Sequence, residues 1–306
     1  MRKKNDILLK SAFEEAFSDL LLFFFEDANI LFDLDRGFDF MDKELAELFP
    51  DLQKKGGSRF VDMLVKTYLQ TGAEEYILVH IEIQDGAIKD FPKRMFQYYY
   101  RILDRFEVEV AALAVFTGKR NQQQPAEYRK KFLGTEISYK YNSYHIFDHD
   151  EEQLLNMDNL FALVILAAQK SSLSDKTSEA ELSEQRLKIV RALISSKRYN
   201  NEKIRHFLFF LRTFIHIENP EINSKFDKEV SILIGNDKAM GIIEAIKMII
   251  LEEGIEQGIE RGEQRKTYEV AKNLLLNTDF DISKIAALAN CSESFIETVK
   301  KDISLN

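Results

Sequence analysis

The sequence has few residues of the kinds that interrupt or cross-link a chain. One cysteine, Cys291, is present among 306 residues, together with four prolines and twelve glycines. A single thiol excludes a disulfide framework within the chain and a zinc site built from cysteines, and it fits a reducing cytoplasm. With 45% hydrophobic and 30% charged residues, this composition predicts a helix-rich globular protein of one large domain or two ordinary ones.

The sequence also has no long apolar run. The apolar stretch nearest the start, residues 20–25, has six residues and follows three acidic side chains, Glu14, Glu15 and Asp19. A membrane helix needs about 20 apolar residues, and a signal peptide needs a basic flank. We therefore expect no membrane association and a cytoplasmic location.

Positive charge is scarce overall and unevenly distributed. The formal net charge is −9, which disfavours general nucleic-acid binding because such binding depends on Lys and Arg neutralising phosphates. Residues 89–140, however, contain eleven Lys and Arg against six Asp and Glu. This segment is either a local surface for an anionic partner or an ordinary solvated surface with an uneven charge.

A strand and its hairpin partner form the centre of the prediction. Tyr76–Gln84 is rich in β-branched and aromatic residues and alternates cleanly, which predicts a β-strand. Residues 59–70 are also strand-like, and a turn around Gly72 would join the two. A hairpin centred there pairs residues whose numbers sum to 144. Asp62 then lies opposite Glu82, about 5 Å away at Cβ.

Three oxygen-bearing side chains converge under this register. Glu82 and Gln84 are two residues apart and so face the same side of the strand. Two carboxylates close together repel each other, and a hard divalent cation with oxygen ligands relieves that repulsion. The alternative is a pair of solvated acids at a strand end. A shift of one residue in the register would also move Asp62 to the opposite face.

The remaining periodicities predict one α/β region followed by helices. We expect an α/β domain in residues 1–150, a helical region in 151–236 and a C-terminal tail in 237–306. Predicted helices cover 6–26, 41–48, 90–106, 159–170, 179–199, 201–217, 221–234 and 237–268, and predicted strands cover 108–116 and 135–147. A helix starting at Asp90 between two apolar strands predicts a crossover within one sheet.

The tail has two patterns of its own. Gly254, Gly258 and Gly262 recur every four residues in an otherwise helical segment, which indicates close helix contact or weak structure. Residues 282–299 have the pattern of a helix-turn-helix. Its second helix contains Glu293 and Glu297 and is not basic enough to favour a DNA groove, so a packing or dimerising helical pair is the default interpretation.

Four segments carry a family resemblance: residues 40–45 (FMDKEL), 59–62 (RFVD), 80–84 (HIEIQ) and 91–101 (FPKRMFQYYYR). Asp in one strand and Glu-x-Gln in the next, followed by a crossover helix and strand, resembles the PD-(D/E)XK nuclease superfamily. The segments are similar to its Rpn-type recombination-promoting nucleases, which are often labelled transposases. The resemblance covers about residues 1–150, and the sequence contains no evidence of strand transfer.

The resemblance implies a Mg²⁺-dependent DNA endonuclease with a restriction-endonuclease-like αβββαβ core and a helical C-terminal region. Asp62 and Glu82 would be metal ligands, with the Ile83 carbonyl as a third. Gln84 stands where the superfamily usually has Lys, so it can donate a hydrogen bond but brings no positive charge. The resemblance also implies an acid from an early helix and phosphate contacts from the crossover helix. The candidates are Glu14, Glu15 and Glu44 for the acid, and Arg94 and Tyr98 for the contacts, with a structural role favoured for Tyr98.

A second hypothesis comes from a different functional class. A nuclease relative with weak catalysis is also consistent with three features: the acidic total charge, Gln84 and the glycine-spaced helix. Such a protein would act as a DNA-binding or oligomeric interaction module, with self-association through its C-terminal helices.

Overall fold

The structure is a computed structural model. It describes residues 2–48, 63–71, 76–84, 90–235, 262 and 265–304, and for residues 76–84 the description covers the backbone. The chain divides into two compact units, Met1–Met240 and Gly241–Asn306. Helices and strands are interspersed in the first unit, so the expected α/β class is confirmed.

The described elements of the first unit follow a mixed order. Its strands are β1 Asp39–Phe40, β2 Met63–Tyr68, β3 Tyr76–Gln84, β4 Val110–Phe116, β5 Glu127–Phe132, β6 Thr135–Lys140 and β7 Asn142–His145. Its α-helices are α1 Arg2–Glu15, α2 Phe17–Phe24, α3 Ala28–Leu31, α4 Asp42–Leu48, α5 Phe91–Phe106, α6 Glu151–Asn156, α7 Leu160–Ser172, α8 Glu179–Ser196, α9 Asn201–Phe214 and α10 Pro220–Ile234. A short 3-10 helix, Ser174–Lys176, lies between α7 and α8.

The main sheet has five strands in the order β1-β2-β3-β4-β7. β2 pairs antiparallel with β1 and β3, whereas β3, β4 and β7 run parallel. The predicted hairpin is confirmed, and its register pairs Met63 with Ile81 and Tyr68 with Tyr76. Both pairs sum to 144, as the sequence predicted. A slip of one residue would place every side chain of the slipped strand on the opposite face of the sheet.

The crossover helix α5 connects β3 to the parallel strand β4, as predicted. Its stripe of four buried residues, Phe91, Met95, Tyr98 and Ile102, recurs at helical spacing. The first half of this stripe packs against β4, and the second half packs against Leu64 of β2 and Leu45 of α4. α5 therefore spans the sheet diagonally, and α4 lies in the same layer. Asp90 precedes the helix, but its side chain makes no capping hydrogen bond.

The prediction of one strand over residues 135–147 was wrong. Residues 135–140 form β6, which pairs with β5 in a separate two-stranded sheet, and β7 joins the main sheet. The polar-apolar alternation continues through Tyr141 and so conceals the break. The β5–β6 turn was missed because it has Leu133 before Gly134, both with positive φ (43° and 85°), where Asn-Gly is the usual signal.

Most of the other helices of the unit pack against one another. The predicted helix over 6–26 is interrupted at Ala16, whose φ of −98° and ψ of 19° separate α1 from α2. α7 packs against α1 and α2 and is buried on nearly every side, with the rings of Phe13 and Phe161 4.9 Å apart. The missed helix α6 begins with a capping box between Asp150 and Gln153. Within the described ranges, no helix is both long and apolar enough to cross a membrane.

The second unit contains a small helical cluster. Residues 265–277 are helical (α11), followed by α12 Ile282–Ala289 and α13 Glu293–Ser304. Asn290, with φ of 52°, ends α12, and the Ser292 hydroxyl accepts a hydrogen bond from the Phe295 N–H. The predicted helix-turn-helix is therefore confirmed as a shape. The two helices form one buried cluster with α11, which includes Ala271, Ile285, Ala286, Ala289, Ile296 and Val299. Gly254 and Gly258 lie outside the described residues.

A buried arginine joins three helices of the first unit. Arg186 of α8 is fully buried. Its guanidinium donates to the carbonyls of Arg212 and Ile215 at the end of α9 and to the Asn223 side chain of α10. Burial, and to a lesser extent the nearby Arg212, lower the pKa of Arg186 to about 9, so it keeps its charge at neutral pH. These acceptors offset part of the cost of burying the cation, whose Nε makes no hydrogen bond among the described atoms.

We expect Arg186→Leu to lower the free energy of unfolding by about 3 kcal/mol, because it leaves buried carbonyls without donors. The matched control is Arg191→Leu on the same helix. Arg191 forms a half-exposed ion pair with Glu229 at 3.3 Å, and its loss should cost less than about 1 kcal/mol. Urea denaturation measures both values. Equal losses for the two variants would contradict a special role for Arg186.

Candidate functional site

The predicted site residues lie at one end of the β2–β3 hairpin. Glu82 and Gln84 belong to the last part of β3, where the backbone is described. They pair in register with Ala114 and Phe116 of β4. Asp62, the residue before β2, lies outside the described residues. The structure thus describes the backbone of two of the three residues, and the predicted proximity of their side chains stays a prediction.

The described register comes within one residue of the predicted carboxylate pair. Met63 pairs with Ile81, and the next residues along the two strands are Asp62 and Glu82. If the pairing rule continues by one step, these two acids are cross-strand neighbours, with Cβ atoms about 5 Å apart.

Several chain segments meet at this end of the sheet, which we call the site edge. It comprises the start of β2 and the carboxyl ends of β3, β4 and β7, defined by Met63, Gln84, Phe116 and His145. α4 also starts here, because the Met41 N–H donates to the Leu64 carbonyl at 2.7 Å. In α/β sheets, the carboxyl ends of parallel strands are the usual location of binding sites. The fold thus places Glu82 and Gln84 where function is commonly found.

The register also identifies the layer over the site edge. The Phe116 ring lies 5.2 Å from the Phe91 ring at the start of α5, and Ala114 is buried in the same cluster. Paired residues of parallel strands point to the same side of a sheet. The rows containing Glu82 and Gln84 therefore belong to the face that α5 covers.

The first turn of α5 brings basic side chains to this face. Arg94 is half-buried, and its guanidinium lies 5.3 Å from the centre of the Phe91 ring. Lys93, beside it, is exposed. Tyr98, the other suggested phosphate contact, is 2% exposed and packs with Leu64 and its neighbours. Arg94 and Lys93 are consequently better placed than Tyr98 to meet an anion.

The three candidate acids have different surroundings. Glu14 lies 3.9 Å from Lys10, and Glu15 pairs with His206 of α9 at 3.1 Å. Glu44 is exposed in the first turn of α4, the helix that starts at the site edge. The fold therefore favours Glu44 as the additional acid of the predicted site. Sequence patterns did not distinguish it from the other two candidates.

His145 at the end of β7 was not predicted as part of any site. It is 1% exposed, and its Nδ1 accepts a hydrogen bond from the Phe147 N–H at 3.2 Å. The backbone N–H of His145 donates to the Asp148 carboxylate at 2.7 Å. Among the described atoms, Nε2 makes no hydrogen bond of good geometry, although the Lys119 backbone lies close enough to act on the ring. Its position near the end of a predicted strand was the feature of the sequence that could have indicated a site residue.

Burial lowers the pKa of His145, while Asp148 and the Lys119 backbone raise it less. The imidazole is therefore neutral at pH 7. Beside it, the Arg120 guanidinium lies 4.7 Å from the Phe147 ring centre, and that ring stacks on His145. The loop after β4 thus adds exposed Lys119 and Arg120 to the site edge.

No metal site is complete within the described part of the chain, where no group of three or more His, Cys, Asp or Glu could hold an ion. The predicted ligand side chains of Asp62 and Glu82 lie outside that search. No protein-family model, curated protein or solved structure matches the chain.

The pKa of His145 generates a pH prediction. Because its native pKa lies below the ordinary 6.5, the unfolded chain binds more protons than the native chain just below that pH. The free energy of unfolding should therefore decrease as the pH falls from about 7 to about 5. His145→Gln should reduce this decrease, whereas exposed His216→Gln should leave it unchanged. Urea denaturation across this range measures both. A wild-type slope in His145→Gln would contradict the assignment.

Proposed function

We propose that the chain is a cytoplasmic, metal-dependent DNA endonuclease of the PD-(D/E)XK type, similar to the Rpn-type recombination-promoting nucleases. The observation that supports it best is the β2–β3 register, which ends one residue before Asp62 and Glu82. The antiparallel β1-β2-β3 unit, the crossover helix α5 and the parallel strand β4 agree with the proposed αβββαβ core. The basic residues at the site edge suit a polyanionic substrate.

In this proposal, the carboxylates of Asp62 and Glu82 and the Ile83 carbonyl would hold Mg²⁺. Two acids and a carbonyl are hard oxygen donors, and this donor set fits that ion. When bound, Mg²⁺ lowers the pKa of a coordinated water and offsets negative charge on the phosphate. The net reaction consumes one water molecule. One P–O bond to that water forms and one P–O bond of the DNA backbone breaks, which leaves a phosphate end and a hydroxyl end.

The chain's own side chains would orient the reactants. Gln84 can donate a hydrogen bond from its amide to a phosphate oxygen or accept one from water. Being neutral, it adds no charge to stabilise the transition state, so cationic groups nearby have a larger share of that role. Arg94 in the first turn of α5 is the nearest described candidate by topology, and Lys93, Lys119 and Arg120 extend the positive surface along the site edge.

We expect Asp62→Asn to lower Mg²⁺-dependent nicking of a supercoiled plasmid by about 100-fold or more, the scale of losing a group that stabilises the transition state. Asp104→Asn is the matched control, because Asp104 is exposed on α5 and its charge change is the same. Calorimetry should show weaker Mg²⁺ binding by Asp62→Asn and unchanged Mg²⁺ binding by Asp104→Asn. Equal cleavage by the wild type and both variants would overturn the proposed site.

Gln84 offers a test in the opposite direction. We expect Gln84→Lys to raise the cleavage rate about tenfold, because a cation at this position stabilises charge developing on the phosphate. Gln84→Leu should lower it. The control Gln97→Lys adds the same charge at an exposed position of α5 and should have little effect. A rate that is unchanged in both Gln84 variants would remove this residue from the mechanism.

A further inference from the structure

The β5–β6 hairpin is a separate two-stranded ribbon attached to the crossover helix. Its two six-residue strands pair from Glu127–Lys140 to Phe132–Thr135 and belong to their own sheet. At its base, Tyr128 stacks on Phe96 of α5 at 5.3 Å, and Tyr139 packs on Tyr99 at 4.8 Å. These aromatic contacts fix the start of the ribbon on α5.

Beyond this base, the ribbon projects from the unit. All residues from 129 to 138 are exposed except Ile137, which is half-buried. At about 3.4 Å per residue, the strands extend roughly 14 Å past the anchoring tyrosines. A two-stranded hairpin of this kind gains little stability from burial, so its exposed residues do not form a core.

The tip of the ribbon is apolar. Leu133 is 89% exposed and Phe132 is 67% exposed, among the most exposed large hydrophobic side chains described. Leu133 has φ of 43°, a conformation that leucine adopts rarely and that asparagine tolerates well. Neither burial nor turn formation therefore explains a leucine at this position.

The charges along the ribbon are mainly positive. Four Lys and Arg stand against two Glu between residues 127 and 140, in a chain with a net charge of −9. On one face, Glu127 pairs with Arg129 at 2.6 Å and Glu136 with Lys131 at 3.5 Å. Lys130 is exposed, and by strand alternation it belongs to the other face, with Phe132. The ribbon thus combines an apolar tip with flanking cations.

We propose that the β5–β6 hairpin is a DNA-binding arm that inserts into a groove of double-stranded DNA. Lys130 and its cationic neighbours contact phosphates, while Phe132 and Leu133 enter the groove. A two-stranded ribbon fits the major groove, and apolar side chains are used as wedges between bases in the minor groove. The choice of DNA rests on the proposed nuclease function. It agrees with the attachment of the arm to α5, the helix whose first turn lies at the site edge.

Duplex binding by the full chain in EDTA tests the arm without cleavage. Fluorescence anisotropy with a labelled 30-base-pair duplex compares the wild type with Leu133→Asn, with Phe132→Ser and with Lys130→Gln. Leu133→Asn creates an Asn-Gly turn, which suits this hairpin type, so the ribbon should stay folded. Matched controls are Ile232→Asn, which removes a 74% exposed side chain from α10, and Lys228→Gln on the same helix.

We expect the two tip variants to bind about tenfold more weakly, because each removes an apolar side chain that would enter the groove. Lys130→Gln should reduce the slope of log affinity against log salt by about 0.9, the value for one lost phosphate contact. The controls should match the wild type. Equal binding by the arm variants and the controls would overturn the proposal, as would a wild type that does not bind the duplex.

The same variants separate this arm from the nuclease proposal. Weaker binding by the arm variants, with no Mg²⁺-dependent cleavage by the wild type, would support the arm and reject the nuclease. Cleavage that depends on Asp62, with unchanged binding by the arm variants, would do the reverse. If Leu133→Asn converts a dimer to a monomer in sedimentation experiments without weakening DNA binding, the tip contacts a second copy and the proposal fails.

Discussion

The backbone pairing of β3 with β2 on one side and β4 on the other governs the first unit. Each residue of β3 that has a partner in both strands is held in a single register, because a slip of one residue would shift the pairing with both neighbours at once. The register determines which residues of β3 share a row with the buried Ala114 and Phe116. Those rows belong to the face of the sheet that α5 covers. The location of every candidate group at the site edge follows from the register.

The crossover helix transmits that constraint to the surroundings. Its stripe contacts β4 near Phe91 and β2 near Tyr98, which fixes its diagonal direction across the sheet. The direction in turn places Arg94 at the carboxyl ends of the strands and Tyr99 beneath the β5–β6 ribbon. One amphipathic helix therefore positions both the basic turn and the projecting hairpin.

Local patterns in the sequence were sufficient for much of this architecture. The alternation of β3, the stripe of α5 and the α4 segment each have one dominant period, and the structure has elements with the same or nearly the same bounds. The prediction failed where one period continued across a break, as between β6 and β7, or where Leu133 replaced the usual turn residue. The choice among Glu14, Glu15 and Glu44 was beyond local patterns, because it depends on contacts such as Met41 to Leu64 that join distant segments.

Arg186 has a consequence for how the helical side assembles. Its three acceptors come from the last turn of α9, the residue that follows that helix, and the first turns of α10. If only one of these helices is in place, the guanidinium leaves water and gains only part of its hydrogen bonds, an arrangement less favourable than full solvation. Partial docking of the three helices is thereby penalised, and the cation favours their association as one unit.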